Sequence, residues 1–236
     1  MNTTKKATKK TKKLVKTLKN INRNTARRNA RFEALDKPGK RVYIAKDVLA
    51  QLAAKKIVAS PGTYLAGKVK LPTIKEEREE YSYDSHGYEK RSVKVVNPDT
   101  EVQDIVEKMK TCNACALGTV FVCAVRIADD LKIGDMPIED EVTDSIEFDG
   151  MSMYKYLGQF FSEAQLELIE SAFECRVMGD GGEGRRDDAN RDAADYGTNF
   201  MQPKDRMVAI MKNIIKNKGF FKPESLSRQE DWIGDY

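Results

Sequence analysis

Lys5, Lys6, Lys9, Lys10, Lys12, Lys13, Lys16, Lys19, Arg23, Arg27, Arg28 and Arg31 place twelve cations in 27 residues. The chemistry open to such a series is contact with phosphate, with little reading of bases. With Lys37, Lys40 and Arg41, the first 41 residues hold 15 basic side chains against Glu33 and Asp36, a net charge of +13. The other 195 residues hold 26 basic and 35 acidic side chains, a net of −9. A cationic arm thus joins an acidic body. Such an arm suits a polyanion, an anionic surface or an acidic protein. Arg23, Arg27, Arg28 and Arg31 are neighbours on a helix at spacings 23/27, 27/31 and 28/31. An arginine-rich helix of this kind can lie along DNA or enter a structured RNA groove.

Cys112-x-x-Cys115 invites a zinc or redox reading, since the pair is half of a tetrahedral thiolate site. On one continuous helix, however, Cys115 and Cys123 would lie roughly 12 Å apart, too far to share a metal. The thiols, Cys175 included, are expected to be buried small residues without metal, and no cofactor is expected. His86 is the only histidine. It stands in a polar stretch beside Asp84, and no nucleophile motif accompanies it. Catalysis near His86, or near the acidic stretch 129–149, is a distant alternative. That stretch carries nine Asp and Glu against Lys132 and matches no metal loop. It is expected to form a solvated face, to hold the arm when no polyanion is present, or to meet a protein partner.

The elements that must position these residues follow from periodicity. Leu14, Val15, Leu18 and Ile21 share one helical stripe, so residues 12–31 are expected to become helical on a partner and to be disordered alone. Lys37-Pro38-Gly39-Lys40 reads as a turn, Arg41–Ala45 as a strand, and Asp47–Lys56 as a helix closed by Ser60-Pro61-Gly62. Tyr64–Leu71 reads as a strand and 75–92 as a surface loop or hairpin. Asn97 as cap and Pro98 in the first turn predict a helix over 98–110. Residues 112–128, with Arg126 their single charge, read as a central helix or, on β-branched content, a buried strand. Short helices are expected over 150–158, from Ser162 to about 175 and over 203–217, with 178–198 a flexible loop.

The predicted architecture is mainly α (α+β, with a small β component near 41–71). An arm spans 1–41, a helical domain 42–223, and an acidic-aromatic tail 224–236 containing Trp232. No run of about 18 apolar residues is present and Met1–Lys13 has no apolar segment after it, so neither a membrane span nor a secretory leader is expected. A cytoplasmic protein, or a nuclear one in a eukaryote, with reduced thiols is the matching compartment. The expected function is non-enzymatic nucleic-acid binding, DNA or RNA. The alternative is an assembly protein whose arm packs on another subunit's acidic face or on an internal genome. A protein partner could meet segment 129–149 or tail 230–236.

Overall fold

The computed structural model describes residues 27–82, 87–128, 131–135, 145–147, 150–177 and 185–223. The fold is mainly α with a small β component, as the sequence predicts.

Helix α1 (Lys37–Ala53) runs through both the expected turn and the expected strand. The reason is a cap. The Asp36 carboxylate accepts from the Gly39 amide at 2.8 Å, and Pro38 sits in the first turn, where its missing N–H costs nothing. From there Arg41, Ile44, Ala45, Val48 and Leu52 form one buried helical face. Residues 27–33 are also helical, and Phe32 is fully buried. Its ring meets Tyr43 and Phe160 edge-on, with centroids 5.9 and 5.6 Å away. Ordered structure therefore crosses the boundary drawn at 41/42, and the last third of the supposed arm belongs to the body. Phe32→Ala is expected to cost about 3–5 kcal/mol. Urea denaturation checks this, and a cost below about 1 kcal/mol would detach residues 27–33 from the cooperative core.

Arg41, on the inner face of α1, is fully buried. Its Nε donates to the Phe160 carbonyl at 2.6 Å, and its guanidinium lies 4.8 Å from the Phe220 ring and 5.7 Å from Phe161. Aromatic faces and a carbonyl take the place of water around the charge.

Four short strands form the central sheet: β1 (Ile57–Ala59), β2 (Leu65–Lys68), β5 (Cys112–Ala114) and β6 (Ser145–Glu147). Their order is β1-β5-β2-β6, with β1 parallel to β5 and the other pairs antiparallel. Between β2 and β5 in the chain stand a hairpin, β3 (Thr73–Ser82) with β4 (Gly87–Val96), and helix α2 (Val102–Lys108). The hairpin is the second of the two forms expected for 75–92. Helix α2 starts later than Asn97 suggests. The Asn97 side chain accepts from the Asp99 amide at 3.1 Å and makes a turn, while Glu101 occupies the cap position.

The apolar segment 112–128 divides. Cys112 and Ala114 point inward and Asn113 outward, the alternation of a strand, and after Cys115 the chain becomes helix α3 (Ala116–Ala128). Helix α3 is buried from Ala116 to Val125 and forms the centre of the fold. Around it lie α1, α2, α4 (Gly150–Leu157) and α5 (Glu163–Glu174), followed by α6 (Arg185–Thr198) and α7 (Pro203–Lys216). Ser162 caps α5, accepting from the Gln165 amide at 3.4 Å. Gln165 does not close a capping box. Its side chain holds the backbone of Phe221, accepting at 2.7 Å and donating at 3.4 Å.

Helix α6 overturns the expected loop over 178–198, of which 178–184 lie outside the described residues. A stripe of small residues explains it. Ala193, Ala194 and Gly197 are buried, and a Cβ at Gly197 would stand 1.8 Å from the Ala172 carbonyl oxygen of α5. Two helices this close need no large apolar side chain between them, so the segment shows little hydrophobic signal. Helix α7 buries Met207, Ile210, Met211 and Ile214 as predicted, and Gly219 (φ +104°) ends it by donating to the Ile214 carbonyl at 2.8 Å.

Candidate functional site

Of the twelve cations expected to contact phosphate, Lys5, Lys6, Lys9, Lys10, Lys12, Lys13, Lys16, Lys19 and Arg23 lie outside the described residues. Arg27 and Arg31 are exposed. Arg28 is partly buried and turned toward the body. Its guanidinium donates to the Arg126 carbonyl at the end of α3 and lies 3.8 Å from the Glu107 carboxylate on α2. The negative end of the helix dipole favours a cation there. The Gln103 side chain donates to the same carbonyl at 2.9 Å. The Arg126 side chain in turn meets Asp47 of α1 at 3.3 Å, and Gln51 donates to Asp47 at 3.1 Å. Arg28 thus fixes the root of the arm to α2 and α3.

His86, Asp129, Asp130, the carboxylates 139–144 and the tail 230–236 lie outside the described residues. Among the described residues no group of three or more His, Cys, Asp or Glu is placed to hold a metal ion. The four cysteines are free thiols. Burial raises Cys112 to about 11 and Cys115 to about 12, so neither is a thiolate nucleophile near neutral pH. Burial also pushes the Cys123 thiol well up, helped by Asp47.

A second polar cluster lies between α4, α5 and the loop before β2. Tyr154 donates to the buried Glu170 carboxylate at 2.5 Å, the Tyr64 hydroxyl bonds the same group, and both Glu174 oxygens accept from the Gly62 amide at 3.2 Å. Burial pushes the Glu170 carboxyl above its usual range, and Glu174 adds to this, while Tyr154, Arg176 and Tyr64 act against it. A carboxyl with a raised folded-state pKa stabilises fully below its unfolded pKa, and that stability is lost as pH rises through the folded value. Glu170→Gln is therefore expected to flatten that decline. Melting temperatures from pH 4 to 8 check this, and curves that stay parallel would refute it. The cluster ties three elements together and includes no histidine or activated nucleophile.

One concavity among the described residues is lined by cations. A groove of about 970 Å³ opens between the end of β2, the link to the hairpin, the end of α2 and the start of β5. Lys68, Lys70, Lys108 and Lys110 line it, with Thr111 and Asn113 as neutral hydrogen-bonding groups. Among the described residues that line it there is no carboxylate and no aromatic ring. All four lysines are exposed, and among the described residues Lys108 pairs with Asp104 at 3.5 Å on the same solvated helix face. Gly67 lets the floor close: a Cβ there would meet the Met109 sulfur at 2.4 Å. Glu107, which pairs with Arg28, is the chain neighbour of Lys108. The arm is therefore rooted beside the groove.

No protein-family model, curated protein or solved structure matches the chain.

The groove lysines were absent from the sequence prediction, although a signal exists. Lys68-Val69-Lys70 and Lys108-Met109-Lys110 repeat one pattern, and the middle residue of each is buried at 8% exposure. An apolar residue drawn inward leaves its two neighbours facing solvent on one side. The 37 residues between the two lysine pairs hide their proximity until β2 and β5 come together.

Proposed function

We propose that this protein binds nucleic acid without catalysing a reaction on it, by gripping the phosphate backbone with the groove and the cationic arm together. The observation that carries this reading is the four-lysine groove beside the docked root of the arm. Four cations in one concavity, with no carboxylate among the described lining residues, favour a ligand with several negative charges. Thr111 and Asn113 add hydrogen bonds suited to phosphate oxygens. The arm supplies further cations in the segment preceding Arg28, which pairs with Glu107 next to Lys108. A reducing compartment, cytoplasm or nucleus, goes with this reading and with the free thiols.

The test is the full-length protein carrying Lys68→Gln, Lys70→Gln, Lys108→Gln and Lys110→Gln. These exposed positions should each change stability by no more than about 0.5 kcal/mol. Anisotropy of a labelled 24-base-pair duplex should show at least tenfold weaker binding at low salt. The slope of log K against log salt should fall by roughly 3 to 4, since each phosphate contact contributes about 0.9. Affinity and slope equal to those of the unmodified protein would overturn the reading.

A further inference from the structure

The hairpin raises a question that its own contacts do not answer. Lys75 of β3 stands directly opposite Lys94 of β4, and both are exposed. Like charges at directly opposed positions on a sheet repel, because their Cβ atoms are only about 5 Å apart. The pair also lies close to the groove: Lys70 lines the groove, and Lys75 follows five residues later, at most about 17 Å along the chain.

We propose that the groove and the hairpin root form one continuous track for the phosphodiester backbone of a double-stranded nucleic acid. This rests on the reading given under Proposed function and narrows it. A phosphate seated against Lys75 and Lys94 neutralises both, so a repulsion in the free protein becomes an attraction in the complex. The track stops there, because Glu77 and Glu79 follow on the same face of β3 as exposed carboxylates that repel phosphate. An extended backbone, not a compact anion, fits a path from the groove to the hairpin root. A duplex fits better than a single strand because unpaired bases need aromatic platforms, and none of the described residues lining the groove is aromatic. The exposed ring of Tyr88 lies six residues from Lys94, about 20 Å further out along the strand.

The experiment uses the full-length protein with Lys75→Gln and Lys94→Gln. Binding of the 24-base-pair duplex should weaken about tenfold at low salt, and the salt slope should fall by about 2. The melting temperature should stay the same or rise, because the change relieves a repulsion. Opposite signs in binding and stability separate a contact role from a structural one. Weaker binding with an equally lowered melting temperature would overturn the proposal. So would a single-stranded 24-mer that binds as tightly as the duplex, or inorganic triphosphate that displaces the duplex at equal concentration. Unchanged duplex binding here, with a loss in the groove variant, would end the track at the groove and leave the broader reading intact. Unchanged binding in both variants would overturn both.

Discussion

Gly118→Ala is expected to destabilise the protein by about 3 kcal/mol or more, at the upper end of overpacking costs. Within a helix this exchange ordinarily gains about 1 kcal/mol, since alanine is the best helix former. The sign reverses here because a Cβ at Gly118 would stand 1.5 Å from the Tyr64 carbonyl oxygen and 2.7 Å from its carbon. Both are backbone atoms, so no rotamer change can relieve the clash. Nor is the strand free to retreat. The Cys115 amide donates to the Thr63 carbonyl at 2.6 Å, and the Ser60 amide to the Ala114 carbonyl at 2.9 Å. Against a total stability of roughly 5–15 kcal/mol the loss is large, and for a chain of this size it lowers the melting temperature by roughly 6–12 °C. Gly158→Ala is the control, because its Cβ would meet nothing closer than 3.4 Å. Equal melting temperatures for the two variants would mean that the loop before β2 yields to α3.

Duplex affinity is expected to fall by about 10³ to 10⁴ between 50 and 200 mM salt, if about six to eight phosphates are neutralised. The arm and the groove together hold more cations than this, but not all can reach a phosphate at once. Arg28 is already committed to Glu107 and the Arg126 carbonyl. Each ion released adds to the slope, so a log–log slope between roughly −5 and −7 is the predicted value. Binding titrations at four or more salt concentrations measure it. A slope shallower than about −2 would leave too few phosphate contacts for arm and groove to act together.

Elements with large apolar stripes were legible in the sequence. Met207, Ile210, Met211 and Ile214 marked α7, and Ser162 with Leu166, Ile169 and Phe173 marked α5. Elements held by close backbone approach were not. Helix α6 packs through alanine and glycine, whose hydrophobic signal is weak although their fit is tight. Helix α1 was obscured by its own start, because Pro38-Gly39 reads as a turn unless Asp36 is recognised as the cap that makes both residues part of a first helical turn. Composition was a poor guide to the arm's limit. Arg28, Phe32 and Arg41 sit in a strongly basic stretch, yet one is pinned to two helices and two are buried. The candidate site was the least legible part. Its lysines come from two distant segments, and only the pairing of β2 with β5 makes them one surface.

The docking of Phe32 has a practical consequence for anyone shortening this chain. A fragment begun at residue 42, where the charge composition changes, would lack the aromatic wedge against Tyr43 and Phe160. It would also lack the Asp36 cap and the guanidinium enclosed by Phe161 and Phe220. It would expose the faces that these groups cover and invite aggregation. A fragment begun just before Arg27 keeps all of them and sheds only the cationic tail, so the place to cut is set by what is buried and not by where the lysines end.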